Sequence, residues 1–310
     1  MELFLKKLFF FSLLAILFYS GGIFVIGNYA PLKIKKNAIY LKNGYGNTQN
    51  RILDANNISK TDILIIGSSH AYRGIDPRIF AEHNFSSFNL GSSSQTPIQT
   101  KLLLKEYLDT LAPKLVIYVI SPLSFQSDGI ESTTDFIWNI PSFNLNVLKL
   151  SIRTQNIKVY NTYLVSALNN LVFNQSMNIQ SISNGNDFYI SQTGFVEKTL
   201  KYYDPIEEKK ILFELDEVQE KAFKDNIAYI KRMQTKIILI RAPVTKARNE
   251  SYSNYKEMKE YFNSFENYID YNLKLKLQDS IHFYDSNHLN QKGVRIFNEA
   301  LIKDLLNERT

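Results

Sequence analysis

Residues 61–67 read TDILIIG, a short apolar run that ends in a glycine and is followed at once by Ser68 and Ser69. Short apolar runs bounded by turn residues are typical of strands buried on both faces, as in parallel sheets. We therefore predict a buried parallel strand over 61–67 that ends in a tight turn. Because ligands of open parallel sheets bind just beyond the carboxyl ends of the strands, this turn places Ser69 at the predicted crevice.

Similar runs recur along the chain and alternate with helical patterns. Further strands are predicted over 88–91 (FNLG), 115–120 (LVIYVI), 236–240 (KIILI) and 281–284 (IHFY). Helices are predicted over 100–110, 207–233 and 293–306, the first two from apolar spacing of three and four residues. This alternation predicts a three-layer α/β/α domain with a flavodoxin-like parallel sheet.

The composition is that of a folded chain and excludes several kinds of site. Of the 310 residues, 45% are hydrophobic and 21% are charged, which argues against a disordered chain. The net charge of +6 comes without dense basic blocks, so we expect no nucleic acid partner. Because the chain has no Cys, only four His and no glycine-rich nucleotide motif, we expect no metal site and no cofactor.

The first 36 residues predict a membrane anchor and a juxtamembrane segment. Residues 8–26 are uncharged, and a helix of this length nearly spans the ~30 Å hydrocarbon core of a bilayer. A cleaved signal peptide and a buried core helix are the alternatives. We expect one helix with few contacts to the rest of the chain, and one domain over 37–310. Lysines flank both ends of the apolar run, so charge alone does not decide the orientation.

The stretch over about 125–203 interrupts the alternation of strands and helices. It is rich in Asn, Ser and Thr, and its apolar runs are short. A structureless loop of this length is uncommon within a compact domain. We therefore predict an insertion with short helices of its own, lying over the end of the sheet.

A second polar motif follows the last predicted strand. Asp285 and His288 are three residues apart on one short loop, so the carboxylate can orient the imidazole and stabilise the imidazolium. Together with Ser69 they place a nucleophile, a base and an orienting carboxylate at one edge of the predicted sheet. The alternative for each motif is local, since serine and asparagine cap helices and aspartate is common in turns.

On four stretches the chain resembles the SGNH/GDSL superfamily of esterases and acyltransferases. Gly67-Ser68-Ser69 resembles the Gly-Asp-Ser block, which implies Ser69 as the nucleophile and as an oxyanion-hole donor through its backbone N–H. Asn89-Leu90-Gly91 resembles the second block, which implies Gly91 as a further oxyanion-hole donor. The strand over 115–120 matches the approach to the third block, and 285–288 matches the final Asp-x-x-His block, which implies Asp285 and His288 as catalytic residues.

Two departures from the family pattern weaken the catalytic machinery. Ser68 stands where the family has Asp, and Leu123 stands where the Asn of the third block would donate to the oxyanion. Losing one such donor costs on the order of 10²–10³ in rate. Nearby candidates to replace this donor are Ser92, Ser93, Ser94 and Gln95.

The run from Gly67 to Pro77 resembles the membrane-anchored branch of the superfamily, which includes proteins of polysaccharide and teichoic acid O-acylation. This resemblance implies serine-dependent O-acyl transfer or ester hydrolysis on an extracytoplasmic glycan or glycolipid, without a cofactor. It also implies a multi-pass membrane O-acyltransferase as partner. The alternative is a catalytically inert scaffold or glycan-binding partner of that acyltransferase, which the two departures favour.

Four further polar residues are weighed against this site. His70 is expected to lie off the reactive face, and His282 to pack within a strand. Arg73 and Arg241 either face the cleft and bind an anionic substrate or lie at the surface, which is the ordinary place of arginine.

Overall fold

The computed structural model describes residues 1–41, 45–141, 143–173, 186–199 and 203–307. The chain divides into two compact units. Unit 1 comprises Met1–Gly44 and Thr133–Asn178, and unit 2 comprises Tyr45–Ser132 and Ile179–Thr310. The sheet and both polar motifs belong to unit 2.

Strands and helices are numbered in chain order. The strands are β1 (Ile63–Gly67), β2 (Ser87–Asn89), β3 (Leu115–Val119), β4 (Asp187–Ile190), β5 (Phe195–Lys198), β6 (Lys236–Arg241) and β7 (Tyr268–Asp270). The α-helices are α1 (Glu2–Tyr29), α2 (Leu32–Ala38), α3 (Thr48–Asn57), α4 (Ser69–Tyr72), α5 (Pro77–Glu82), α6 (Pro97–Leu111), α7 (Ile130–Asn139), α8 (Leu145–Arg153), α9 (Ile157–Phe173), α10 (Glu217–Arg232), α11 (Lys246–Glu250), α12 (Tyr255–Asn263), α13 (Tyr271–Lys274), α14 (Asp279–His282) and α15 (Gln291–Asn307).

Unit 2 is built around a five-stranded parallel sheet with the order β2-β1-β3-β6-β7. Counted among the parallel strands alone, this is the order 2-1-3-4-5 of flavodoxin-like sheets. Every residue of β1 is buried, because helices cover both faces of the sheet.

The two helical layers pack on alternate side chains of the strands. On one face, Ile65 and Ile117 belong to a core shared with Phe80 of α5 and Phe297 of α15. On the other face, the Tyr118 ring lies 5.3 Å, centroid to centroid, from the Phe223 ring of α10, and α10 packs against α6. These three layers confirm the predicted α/β/α fold.

The fifth strand is not where the sequence predicts it. β7 closes the sheet beside β6, whereas 279–282 form α14, in which the His282 N–H donates to the Gln278 carbonyl at 2.9 Å. Phe283 makes an isolated bridge to Leu289. The apolar residues of 281–284 indicate only that Phe283 is buried. A side chain can be buried next to a helical turn as well as in a strand. β7 was missed because its three residues are each only half-buried, so no buried apolar run marks the strand.

The helix predicted over 207–233 begins only at Glu217, as α10. The Asp216 side chain accepts hydrogen bonds from the N–H groups of Val218 and Gln219 and so caps the helix. The Asp216 N–H itself donates to the Phe125 carbonyl at 3.1 Å, which holds the preceding chain away from the helix axis.

α1 is a single helix, as expected, and it is long and apolar enough to cross a membrane. The expectation of few contacts is wrong for its second half. Ile23 packs with Val165 of α9, and Tyr19 and Asn28 hydrogen-bond to α9 through the side chains of Asn161 and Asn169. The small Gly27 permits this approach, because an added Cβ there would lie 2.7 Å from a Val165 methyl group.

The stretch predicted as an insertion contains α7, α8, α9 and the hairpin of β4 and β5. The hairpin belongs to unit 2, where the Asn89 N–H at the end of β2 donates to the Thr193 carbonyl at 2.9 Å. Parts of the predicted insertion, 142, 174–185 and 200–202, lie outside the described residues. The division into 1–36 and 37–310 stays a prediction.

Candidate active site

Ser69 is the first residue of α4, directly after the turn that leaves β1. Gly67 makes this turn with φ of 141°, and a Cβ there would lie 2.4 Å from the Val119 carbonyl oxygen of the neighbouring strand. Only glycine fits a positive φ and a backbone approach this close. The sheet therefore presents Ser69 at the carboxyl end of β1, an interior strand.

Ser69, His288 and Asp285 form a hydrogen-bonded chain. The Ser69 Oγ lies 2.8 Å from His288 Nε2, and His288 Nδ1 lies 2.9 Å from both carboxylate oxygens of Asp285. With Nδ1 protonated and donating to the carboxylate, Nε2 is free to accept the Ser69 hydroxyl proton. The distances lie within the range expected for a nucleophile, a base and an orienting group.

The loop that carries Asp285 and His288 is held by its own backbone. The N–H groups of Asn287 and His288 each donate to Asp285 Oδ1 at 2.8 Å. Partial burial opposes ionisation of Asp285, but the hydrogen bond to His288, the charge of that ring and the two N–H donors together hold its pKa below the usual range. Asp285 is thus a carboxylate at neutral pH, as the orienting role requires.

Two aromatic rings flank the His288 imidazole. The Tyr284 ring lies 5.5 Å from it with an interplanar angle of 9°, and the His70 ring lies 5.5 Å from it at 30°. His70 therefore faces the site, contrary to expectation, because the short helix α4 turns it toward the His288 loop. Burial, followed by the charges of His288 and Arg241, lowers the pKa of His70 to about 3, so its ring is neutral.

Gly91 does not offer a free donor. Its N–H donates to the Asn89 Oδ1 at 3.0 Å, and Gly91 is absent from the residues that line the cleft. This bond corrects the assignment of Gly91 to the oxyanion hole. The sequence could not show it, because it depends on the orientation of a buried asparagine side chain.

Among the four candidate replacements, Ser94 fits best. The Ser92 hydroxyl is buried against Gln95 and Ser132, and both ends of the Gln95 amide are engaged, by Ser92 and Thr100. Ser94 lines the cleft beside Ser69, and no acceptor lies against its N–H within the described chain. Its φ of 52° is left-handed, a conformation that turns the backbone N–H and is sparsely used by residues other than glycine.

The cleft next to Ser69 has a volume of about 420 Å³, within the range of small-molecule sites. All of its lining residues except Leu123 have polar side chains, and Leu123 lies at the place of the missing donor. The lining residues are Ser68, Ser69, His70, Ser94, Gln95, Ser121, Leu123, Ser124, Gln126, Ser127, Arg248, Asn287 and His288.

Arg248 of α11 is a cleft residue that the sequence reasoning missed. Its Nε donates to Asn287 Oδ1 at 3.0 Å, and its Nη1 lies 3.2 Å from Glu208. It thereby braces the loop that carries His288. The only signal in the sequence is its position shortly after a predicted strand, where ligand-binding loops of such sheets lie.

The other polar residues weighed from sequence lie elsewhere. Arg73 makes a bidentate pair with Asp187, and Arg241 is buried with Asp270. Neither guanidinium is free to bind an anionic substrate, and neither is at the surface. His282 lies in α14, where its Nδ1 accepts from the Gln278 N–H. Within the described ranges, His, Asp and Glu side chains form no group of three that could hold a metal ion.

Comparison with known proteins yields likenesses of structure alone. No family model and no curated protein matches the chain. A protein of Bacteroides fragilis named as an acylhydrolase is similar at 13% identity and a TM-score of 0.42, over 86% of this chain and 99% of that one. A protein of Streptococcus pneumoniae named as a platelet activating factor is similar at 15% identity and a TM-score of 0.39, over 83% of this chain and 90% of that one.

A GDSL-like lipase of Bacteroides thetaiotaomicron is similar at 11% identity and a TM-score of 0.29, over 86% of this chain and 99% of that one.

Proposed function

We propose that this chain is a serine-dependent acyl-transfer enzyme of the SGNH/GDSL type. The observation that carries the proposal is the chain of hydrogen bonds from Ser69 through His288 to Asp285 at the edge of a cleft. Serine is a weak nucleophile by itself, and an adjacent oriented base is what activates it.

In the first half-reaction, Ser69 Oγ attacks the acyl carbonyl of an ester while His288 Nε2 takes the hydroxyl proton. Asp285 holds the imidazole and stabilises the imidazolium. Collapse of the tetrahedral intermediate breaks the ester bond, and His288 returns the proton to the departing alcohol. The acyl group remains on Ser69.

In the second half-reaction, His288 deprotonates water or an acceptor hydroxyl, which attacks the acyl-enzyme. Ser69 leaves and recovers its proton from His288. The N–H groups of Ser69 and Ser94 stabilise the oxyanion in both halves, and Leu123 adds no third donor. A hole with two backbone donors favours slow turnover of simple esters.

The acyl acceptor in this proposal is an extracytoplasmic glycan or glycolipid. Support comes from the run between Gly67 and Pro77, which resembles the membrane-anchored branch, and from α1, which is long and apolar enough to span a bilayer. On this proposal the chain is a single-pass membrane protein with unit 2 on the extracytoplasmic side. A multi-pass membrane O-acyltransferase would supply the acyl group.

A fluorophosphonate probe tests the nucleophile, because it reacts with an activated serine and leaves an inert one unlabelled. The full chain in detergent should be labelled on Ser69, and both Ser69→Ala and His288→Ala should abolish labelling. Ser127→Ala is the matched control, since Ser127 lines the same cleft outside the hydrogen-bonded chain, and it should label normally. An unlabelled wild-type chain would favour the inert scaffold instead.

The direction of transfer is tested in cells that carry Ser69→Ala in place of the wild type. If the protein acylates a surface glycan, the purified glycan should have less ester while its backbone is still made. If the protein trims that glycan, the ester content should rise. Unchanged ester content would reject both versions of the glycan substrate.

A further inference from the structure

Ser121 is a cleft residue with no part in the hydrogen-bonded chain of the active site. It lies two residues beyond the end of β3, immediately before a turn of 3-10 helix over Pro122–Phe125. A serine at the start of a helix often caps it, but the Ser121 side chain makes no capping hydrogen bond. The ordinary structural role of a serine in this place therefore does not account for its hydroxyl.

The Ser121 hydroxyl has no hydrogen-bond partner within the described residues. Only 7% of the residue is exposed, yet its oxygen is not enclosed, because Ser121 lines the cleft. Largely buried hydroxyl groups are nearly always hydrogen-bonded. A hydroxyl that opens into the cleft without a protein partner is therefore available to a group bound there.

This distinguishes Ser121 from every other serine that lines the cleft. Each of those makes at least one side-chain hydrogen bond to the protein. They are Ser68, Ser69, Ser94, Ser124 and Ser127.

The register of the sheet places Ser121 beside the nucleophile. Gly67 at the end of β1 pairs with Val119 at the end of β3, and strands paired in this way lie about 4.8 Å apart. Ser69 and Ser121 each follow these paired residues by two positions. The two serines therefore leave the same edge of the sheet from adjacent strands, and both line the same cleft.

Ser94 approaches the same edge from the other side of β1. Because the sheet order is β2-β1-β3, the chain after β2 and the chain after β3 flank the turn that carries Ser69. The first of these carries Ser94 and the second carries Ser121. An acyl carbonyl bound against Ser69 is thus within reach of a donor on each side, whereas the apolar side chain of Leu123 offers none.

We propose that the Ser121 hydroxyl donates a hydrogen bond to the oxyanion and so supplies the donor that Leu123 lacks. The inference rests on the proposed acyl transfer at Ser69. As Ser69 Oγ bonds to the acyl carbon, the π electrons of the carbonyl move onto its oxygen, and the Ser121 O–H points at this charge. No proton leaves Ser121, and the negative charge disappears when the intermediate collapses. Such a donor accelerates the reaction because the charge that it stabilises develops only on the way to the intermediate.

Ser121→Ala tests the hydroxyl and keeps the backbone N–H. In the full chain in detergent, we expect fluorophosphonate labelling of Ser69 and hydrolysis of a small activated ester to slow on the order of 10²-fold. The melting temperature should stay close to that of the wild type, since the hydroxyl makes no hydrogen bond within the described fold. The slow turnover that two backbone donors favour would then be slower still.

Two further variants separate the hydroxyl from the shape of the side chain. Ser121→Thr keeps a hydroxyl and should label within about tenfold of the wild type. Ser121→Cys keeps the shape but has only a weak donor, so it should be as slow as Ser121→Ala. It also replaces Ser121→Ala in the test if the alanine variant does not fold.

Ser124→Ala is the matched control. Ser124 lines the same cleft, but its hydroxyl already donates to the Ser121 carbonyl at 2.7 Å, so labelling should stay within about twofold of the wild type. Labelling of folded Ser121→Ala at the wild-type rate would overturn the inference and leave Ser69 as the nucleophile. Equal slowing in Ser124→Ala or Ser121→Thr would also overturn it, because the effect would then come from the conformation of the turn. An unlabelled wild-type chain would reject the proposed function and this inference together.

Discussion

At the scale of single residues, the site depends on His70 remaining uncharged beside His288. The two rings lie 5.5 Å apart, and the proposed mechanism places a positive charge on His288. Burial lowers the pKa of His70 from 6.5 to about 3, so a second charge does not form there at neutral pH. The neutral His70 ring therefore packs beside the His288 imidazole without adding a charge.

This depressed pKa predicts a pH dependence of stability. The unfolded chain protonates His70 below about pH 6.5, whereas the folded chain resists protonation until about pH 3. Stability is therefore fully present above pH 6.5 and falls as the pH drops toward 3, by up to about 1.4 kcal/mol per pH unit. In His70→Phe this contribution disappears, so its melting temperature should fall less between pH 7 and pH 5 than that of the wild type. Equal decreases would contradict the assignment.

Ser94 provides a second residue-scale prediction, since its proposed role uses the backbone N–H. Ser94→Ala and Ser94→Gly keep this N–H, so their rates of fluorophosphonate labelling should stay within about twofold of wild type. Glycine should also raise stability slightly, because it adopts the φ of 52° without strain.

If Ser94→Ala is labelled on the order of 10²-fold more slowly than the wild type, the donor is the hydroxyl and the backbone assignment is wrong. A melting curve of Ser94→Ala checks that the variant is folded.

At the scale of elements, one asparagine ties the end of β2 to the turn that carries the nucleophile. The Asn89 amide donates to the carbonyls of Ala71 and Ile75 at 2.8 and 3.0 Å, and its oxygen accepts the Gly91 N–H. Asn89 is fully buried, so no water replaces these bonds when the side chain is lost.

Asn89→Leu should therefore lower the free energy of unfolding by about 2–4 kcal/mol, because it leaves buried backbone groups without partners. Asn57→Leu is the matched control. Asn57 also donates to a backbone carbonyl, that of Leu53, but at an exposed position, so its replacement should cost within about 0.5 kcal/mol. Denaturant unfolding measures the free energy of unfolding of both variants. Similar decreases in the two would show that the Asn89 hydrogen bonds do not stabilise the turn that carries Ser69.

At the scale of the whole molecule, α1 takes part in the packing of unit 1, although it is also long and apolar enough to span a membrane. Ile23 is buried against Val165, and the Asn161 and Asn169 side chains bond to Tyr19 and Asn28. Removing all of α1 would expose this apolar contact and leave polar groups of α9 without partners.

A chain that begins at Asn37 should consequently lose amide protection from hydrogen exchange in α9 while the central sheet keeps it. A chain that begins at Tyr19 retains the contacts and should keep protection in both. Exchange followed by mass spectrometry in the same detergent compares the two. Equal protection of α9 in both chains would show that α1 is only an anchor.

Local patterns in the sequence predicted strands β1, β3 and β6 of the sheet and the proximity of Ser69, Asp285 and His288. The strands β1, β3 and β6 are mostly buried apolar runs, so consecutive apolar residues in the sequence are enough to predict each of them. A Ser after β1 and an Asp-x-x-His after the strand predicted over 281–284 were expected to meet, because parallel strands end at one edge of the sheet. The prediction of that second strand is wrong, since 279–282 form α14. The structure places Ser69, His288 and Asp285 within hydrogen-bonding distance.

Tertiary structure alone decided which groups of the site are free and what surrounds α1. The Gly91 N–H is occupied by a side chain, His70 faces the imidazole, and Arg248 enters the cleft from a distant helix. The second half of α1 packs on α9, more than a hundred residues away in the chain. Each of these facts depends on a contact between residues far apart in sequence, whereas apolar spacing and short motifs record only what neighbours along the chain impose.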